Sequence, residues 1–275
     1  MAVFLLPPPS IALLFLPVSS GNLAETRRAQ HDAGALLARH IAATLTGNIP
    51  SHIVWIRDGL MCKPRVELAS RPGDTIASLN LSYAQDIAAC AFFLREEGQC
   101  HQEVGVDIIS LTRAAKIAPS AVTLLGGSLC QTMDDGMGDS FITDGFSPHH
   151  FALRWTLLEA LLKLRGSGFS IDSAARSIMS EVRAVPFSQP VIDCIQIFTC
   201  HADNTLISCH HLEESIATFA ATLNNHTKNT VDTISTRLIG QFESMNATWQ
   251  AITFVIEVAG QEMFVMSLAW DRAPK

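Results

Sequence analysis

Val104-Gly105-Val106-Asp107-Ile108-Ile109 is the stretch on which the fold turns. It is dominated by β-branched residues and follows a polar loop at 95–103, so it reads as a compact strand. One carboxylate interrupts it. An unpaired Asp107 in such a strand would cost several kcal/mol or be forced neutral. A metal ion, a buried Arg or Lys, a set of N–H donors, or a place at the strand end capping the next turn would each relieve it. The strand also divides the chain. Ahead of it, Ala29, Ala33, Leu36, Leu37, His40 and Ile41 recur at helical spacing within Arg27–Leu45. Strands are then expected at Ile53–Arg57, Ile76–Ser82 and Ile87–Phe93, with a turn at Arg71–Asp74. Behind it, helical spacing returns and the chain closes on strands at Ile252–Val258 and Met263–Trp270. A helix followed by strands in each half predicts two lobes, 1–103 and 104–275.

The clearest helix is Phe151–Leu164, closed by Gly166-Ser167-Gly168. Phe151, Trp155, Leu158 and Leu162 mark one side and Arg154, Glu159 and Lys163 another. The i, i+4 spacing sets Glu159 and Lys163 on one face, where they form either an ordinary surface ion pair or a working pair. A carboxylate for a metal, one turn from an ammonium for phosphate, suits pyrophosphate chemistry. Residues 114–147 are read as irregular, with a mobile loop at 131–147 that a bound partner would order. Glu213–Leu223 and Val231–Phe242 are read as helical.

Composition excludes several classes. With 48% hydrophobic and 16% charged residues the chain can bury a sizeable core. A net charge of −7 argues against a general nucleic-acid binder. The seven scattered cysteines give no disulfide framework, which points to a reducing compartment. Cys194, Cys200, His201, Cys209, His210 and His211 crowd together but lack metal-ligand spacing, and the segment alternates as strands do. Residues 1–24 carry no charge, yet no basic residue precedes Arg27, and Pro7-Pro8-Pro9 interrupts an apolar run shorter than the ~20 residues of a membrane span. Ile11–Val18 is therefore read as a buried first strand, with no membrane association and a cytoplasmic location.

Leu79-Asn80-Leu81-Ser82-Tyr83 adds a strand that ends in polar side chains able to donate to an anion, or that serve simply as a strand boundary. Together, Asn80-Leu81-Ser82, Gly105-Val106-Asp107 and Trp155 with Glu159 and Lys163 follow an order that resembles 4′-phosphopantetheinyl transferases of the surfactin-synthetase-activating type. That family carries an Asn-x-Ser-His element, a Gly-x-Asp strand and a Trp-x-x-Lys-Glu-x-x-x-Lys helix. Lys63-Pro64 resembles the Lys-Pro of its first-lobe loop, and the match spans roughly residues 11–171. The resemblance implies an α+β fold of two similar lobes in a pseudo-twofold arrangement, each a small antiparallel sheet with a packed helix. It implies an enzyme that moves the phosphopantetheine arm of coenzyme A to a serine of an apo-acyl or peptidyl carrier protein, releasing adenosine 3′,5′-bisphosphate. Asp107 and Glu159 would bind Mg²⁺, with Glu159 and Lys163 catalytic. Lys63, Ser82, Tyr83 and Arg28 would contact coenzyme A, and a monomer would suffice.

Three positions depart from the family pattern. Tyr83 replaces the His, Leu158 replaces the Lys before the catalytic Glu, and Ile109 stands where many members carry a second acid. Leu158→Lys is expected to keep the fold and strengthen coenzyme A binding. Tyr83 and Leu158 also motivate a second expectation, a homologue that binds coenzyme A or carrier protein but transfers weakly. From another class comes an exported binding protein, cleaved near Ser19–Gly21, with glycosylation acceptors at Asn225 and Asn246.

Overall fold

The structure is a computed structural model that describes residues 10–15, 30–32, 34, 35, 38, 39, 42, 43, 47, 48, 50–56, 63–84, 87–94, 102–125, 147–166, 174–187, 196–200, 206–211, 234–246, 248–258 and 263–272. The strands are β1 (Ser10–Phe15), β2 (Ile53–Ile56), β3 (Arg65–Leu68), β4 (Arg71–Ala84), β5 (Ile87–Leu94), β6 (Val104–Ser110), β7 (Val182–Ala184), β8 (Gln196–Cys200), β9 (Leu206–His211), β10 (Ile234–Ser244), β11 (Trp249–Val258) and β12 (Met263–Asp271). The helices are α1 (Leu111–Leu125), α2 (Pro148–Leu164) and α3 (Ala174–Ser180), and helical turns also lie between 30 and 43. Two sheets result: β2-β3-β4-β5-β1-β8-β9 and β6-β12-β11-β10-β7. Pairing is antiparallel throughout except for β1 with β8, so the fold is α+β.

Side-chain alternation stacks these parts in layers. Ala84, Ala89, Ala91 and Phe93 of the first sheet meet Val104, Val106, Ile108, Ile252, Phe254, Ile256, Phe264, Met266, Leu268 and Trp270 of the second. The opposite face of the second sheet (Ile109, Ala251, Val255, Val265, Ala269) packs on α1, α2 and α3. The outer face of the first sheet, with Val66, Leu79 and Phe92, holds Ala38, Ala42 and Ala43 from the helical turns. Odd-numbered residues of β6 therefore point at α2, and the carboxylate of Asp107 is among them.

Several expected elements shift. The turn lies at Ala69–Ser70, and Arg71–Asp74 opens β4, where the pairing with β3 slips in register. Glu67 accepts from Gly73 N–H at 2.7 Å, and Gly73 has φ +87°, so a bulge replaces the turn. Residues 111–125 form a helix rather than an irregular stretch, with Ser110 Oγ accepting from Arg113 N–H at 3.2 Å at its start. Its buried face is the small stripe Ala114, Ala118, Ala121. Ile234–Ser244 is a strand, because it fills the place between β11 and β7 that its helical-looking spacing could not reveal. Gln196–Cys200 and Leu206–His211 are strands as expected, and they join the first sheet through β1. The expected helix at 213–223 and nearly all of the loop at 131–147 lie outside the described residues, as does Arg28. No described helix is long and apolar enough to cross a membrane.

Candidate active site

The helix α2 begins where Ser147 accepts from His150 N–H at 3.3 Å and Pro148 takes the first turn, and it ends at Gly166 with φ +67°. Its approach to β6 depends on Gly105. A Cβ built there would stand 2.0 Å from Ala160 O and 2.6 Å from Leu164 N, so any side chain would push the helix off the strand. That close approach carries Glu159 and Lys163 down to Asp107.

Asp107 is only 6% exposed, yet it is not left unpaired. Lys163 Nζ donates to its Oδ1 at 2.7 Å, and Ser82 Oγ donates to the same oxygen at 2.7 Å. The ammonium also donates to Ser82 Oγ at 3.1 Å and to Val106 O at 3.1 Å. All three of its protons are therefore engaged, and Ser82 uses its one proton and accepts twice, the second time from Ile108 N–H at 3.3 Å. Asn80 Oδ1 accepts from Val106 N–H at 3.2 Å. The polar pair on β4 thus supplies side-chain acceptors to the β6 edge that β12 does not cover, tying one sheet to the other. Ser82 joins the cluster, facing Asp107 from the neighbouring sheet.

Glu159 is half-buried, and the forces on it differ from those on Asp107. Removal from water raises its carboxyl most, and the nearby Asp107 charge raises it further. Lys163 and Arg113 pull the other way, and the balance stands at about 7. Two neighbouring carboxylates, one of them held from ionising by the other and by burial, are a fit for a hard divalent cation. Mg²⁺ is commonly held by one or two carboxylates together with phosphate oxygens and water. Among the described residues no group of three or more His, Cys, Asp and Glu side chains converges, so the donor set is a pair rather than a cage.

Other expected site residues lie elsewhere. Lys63 Nζ donates to Leu164 O at 2.8 Å, to Val104 O at 3.4 Å and to Glu103, whose carboxylate also accepts from Ser78 Oγ at 3.1 Å. It holds the end of α2 to the start of β6 and does not join the Asp107 cluster. Tyr83 points from the other face of β4, with its hydroxyl over Gly34, where a Cβ would stand 2.2 Å away. Leu158 is 1% exposed, inside the core formed with Leu161, Leu162, Phe242 and Trp249. This overturns the expectation that a Lys there would keep the fold, since an ammonium would be buried without a partner.

Two features escape the sequence. Arg113 supplies positive charge near Glu159 from the first turn of α1, a helix hidden by Pro119 and by its small side chains. A buried hydroxyl row also runs from Thr253 through Ser267 to Thr156, with separations of 2.7 and 2.8 Å, and Thr156 donates on to Ala152 O at 2.9 Å. Ser267 pairs with Asp107 across β6 and β12, so this row pins α2 to the sheet beside the carboxylates. Single polar residues in apolar strands gave no periodic signal of it.

A scan against protein-family models matches none, and a search of curated proteins finds no relative.

Proposed function

We propose that the chain is a Mg²⁺-dependent 4′-phosphopantetheinyl transferase acting on an acyl or peptidyl carrier protein. The observation that carries the reading is the convergence of Ser82, Asp107, Glu159 and Lys163, residues far apart in sequence, on one point between β4, β6 and α2. On this reading the two sheets are the family's two lobes, in pseudo-twofold relation; the chain passes from the first to the second near residues 103 and 104 and returns to the first with β8 and β9. Coenzyme A lies at their junction.

Asp107 and Glu159 would hold the divalent ion. Bound there, it would supply positive charge to offset the pyrophosphate of coenzyme A. Burial and the Asp107 charge raise the Glu159 carboxyl to about 7 in the metal-free site; with the ion bound Glu159 is a carboxylate, and it would take the proton of the carrier serine. The serine oxygen bonds to the β-phosphorus, the bond to adenosine 3′,5′-bisphosphate breaks, and the proton passes on to solvent. Lys163 and Arg113 set the local positive charge that offsets the two acids.

The buried Leu158 favours a second reading inside the same family, a weak transferase that mainly binds coenzyme A or carrier protein. Incubation with coenzyme A, Mg²⁺ and a panel of apo-carrier proteins tests both. Stoichiometric release of adenosine 3′,5′-bisphosphate supports the transferase. Binding without release supports the weaker homologue, and neither binding nor release refutes the family reading.

A further inference from the structure

Lys163 stands in an unusual relation to the acids around it. Its partner at i−4 is Glu159, the arrangement that on an exposed helix gives an intrahelical ion pair. Here the ammonium passes over Glu159 and settles on Asp107, with Ser82 Oγ and Val106 O completing its three bonds. Its side chain is 24% exposed and that of Asp107 9%. In this state it has no proton left for a phosphate oxygen. The acid it neutralises is one of the two proposed to hold the divalent ion.

We infer that Lys163 is an internal cation that competes with the divalent ion for Asp107, so that metal binding and release of the ammonium are one coupled event. The inference rests on the metal-pair reading of Asp107 and Glu159. Placing a divalent ion against Asp107 while the ammonium remains on Oδ1 would bring two cations to one carboxylate, and their repulsion disfavours that state. An anionic ligand resolves the conflict, because a phosphate gives the displaced ammonium a new partner as the ion takes the carboxylates. Metal and phosphate ligand then strengthen each other's binding, and each alone binds weakly. Ser82 sets how firmly the ammonium is seated, since it accepts from Lys163 and donates to the same Asp107 oxygen.

The test is calorimetric titration of Mg²⁺ into the full chain, with neither coenzyme A nor carrier protein present. Wild type should bind weakly. Lys163→Gln removes the competing charge and should bind Mg²⁺ at least tenfold more tightly, with a melting temperature that rises with Mg²⁺ well beyond the wild-type rise. Ser82→Ala keeps the charge but loosens its seat, shrinks a buried side chain without adding volume, and should tighten Mg²⁺ binding severalfold. It decides the question if Lys163→Gln does not fold. Unchanged or weaker Mg²⁺ binding in the folded variants overturns the inference. Because no transfer is measured, a chain that transfers normally but fails this titration loses only the competition. A chain that passes the titration but never transfers loses only the transferase reading.

Discussion

Glu159 and Asp107 carry the same functional group on neighbouring elements, in different surroundings. Asp107 accepts from an ammonium and a hydroxyl, whereas burial and Asp107 itself hold Glu159 up to about 7. In the unfolded chain Glu159 should titrate near 4.5. Between pH 4.5 and about 7 the unfolded state therefore binds fewer protons than the folded one, and stability of the metal-free protein falls as pH rises through that window. Glu159→Gln should remove this slope, which melting curves from pH 4 to 8 would show; an identical slope in the variant would reassign the titration. At the same scale, Leu158→Lys should cost about 3–5 kcal/mol, as expected for an unpaired buried charge. A well-folded variant would contradict the buried position of Leu158. The carboxylate in an apolar strand was legible because burial of a charge demands a partner. Its actual partner was not, since i, i+4 spacing favours the Glu159–Lys163 pair and only the fold brings Asp107 nearer to the ammonium.

At the level of elements, the contact of α2 with β6 sets the site. Gly105 makes it possible, and Gly105→Ala would place a methyl against the helix backbone at Ala160 O. The variant should lose about 3 kcal/mol of stability, by overpacking against an unyielding backbone, and most of its activity. A melt within a degree of wild type would show that the helix can move aside. Lys63 holds the far end of the same contact, and Lys63→Met should lower stability and turnover, with Lys63→Arg recovering part of both. If nucleotide contact were its role, the Met variant would weaken coenzyme A binding while leaving the melt unchanged. Elements with strong patterns were legible: α2 through its two faces and the glycines that close it, β6 through its β-branched run, and β11 and β12 through their apolar runs. α1 was hidden because Pro119 and an alanine face imitate a loop, and β10 because Ile234, Leu238 and Phe242 recur at helical spacing in a segment that the sheet takes as a strand.

Across the whole molecule, two sheets face each other, and among the described residues three sets of side chains join them. Asn80 and Ser82 serve the β6 edge, Ser78 and Lys63 hold Glu103, and Lys163 reaches Ser82 from α2. The site therefore exists only when both sheets are in place. β1 lies between β5 and β8, paired on both sides, so removing residues 1–16 should abolish cooperative unfolding of the first sheet. Unchanged melting of the shortened chain would contradict that placement. The α+β character was readable from the helix and strand patterns along the chain. The joining of β8 and β9 to the first sheet was not, since such long-range pairing leaves no local trace. The most direct test is the intact mass of an apo-carrier protein after incubation with coenzyme A and Mg²⁺, beside Asp107→Asn, Glu159→Gln and chelator controls. The account predicts a gain equal to one phosphopantetheine arm with wild type, reduced at least roughly a hundredfold in rate in each variant and with chelator. Transfer that persists undiminished in both variants and with chelator would contradict it.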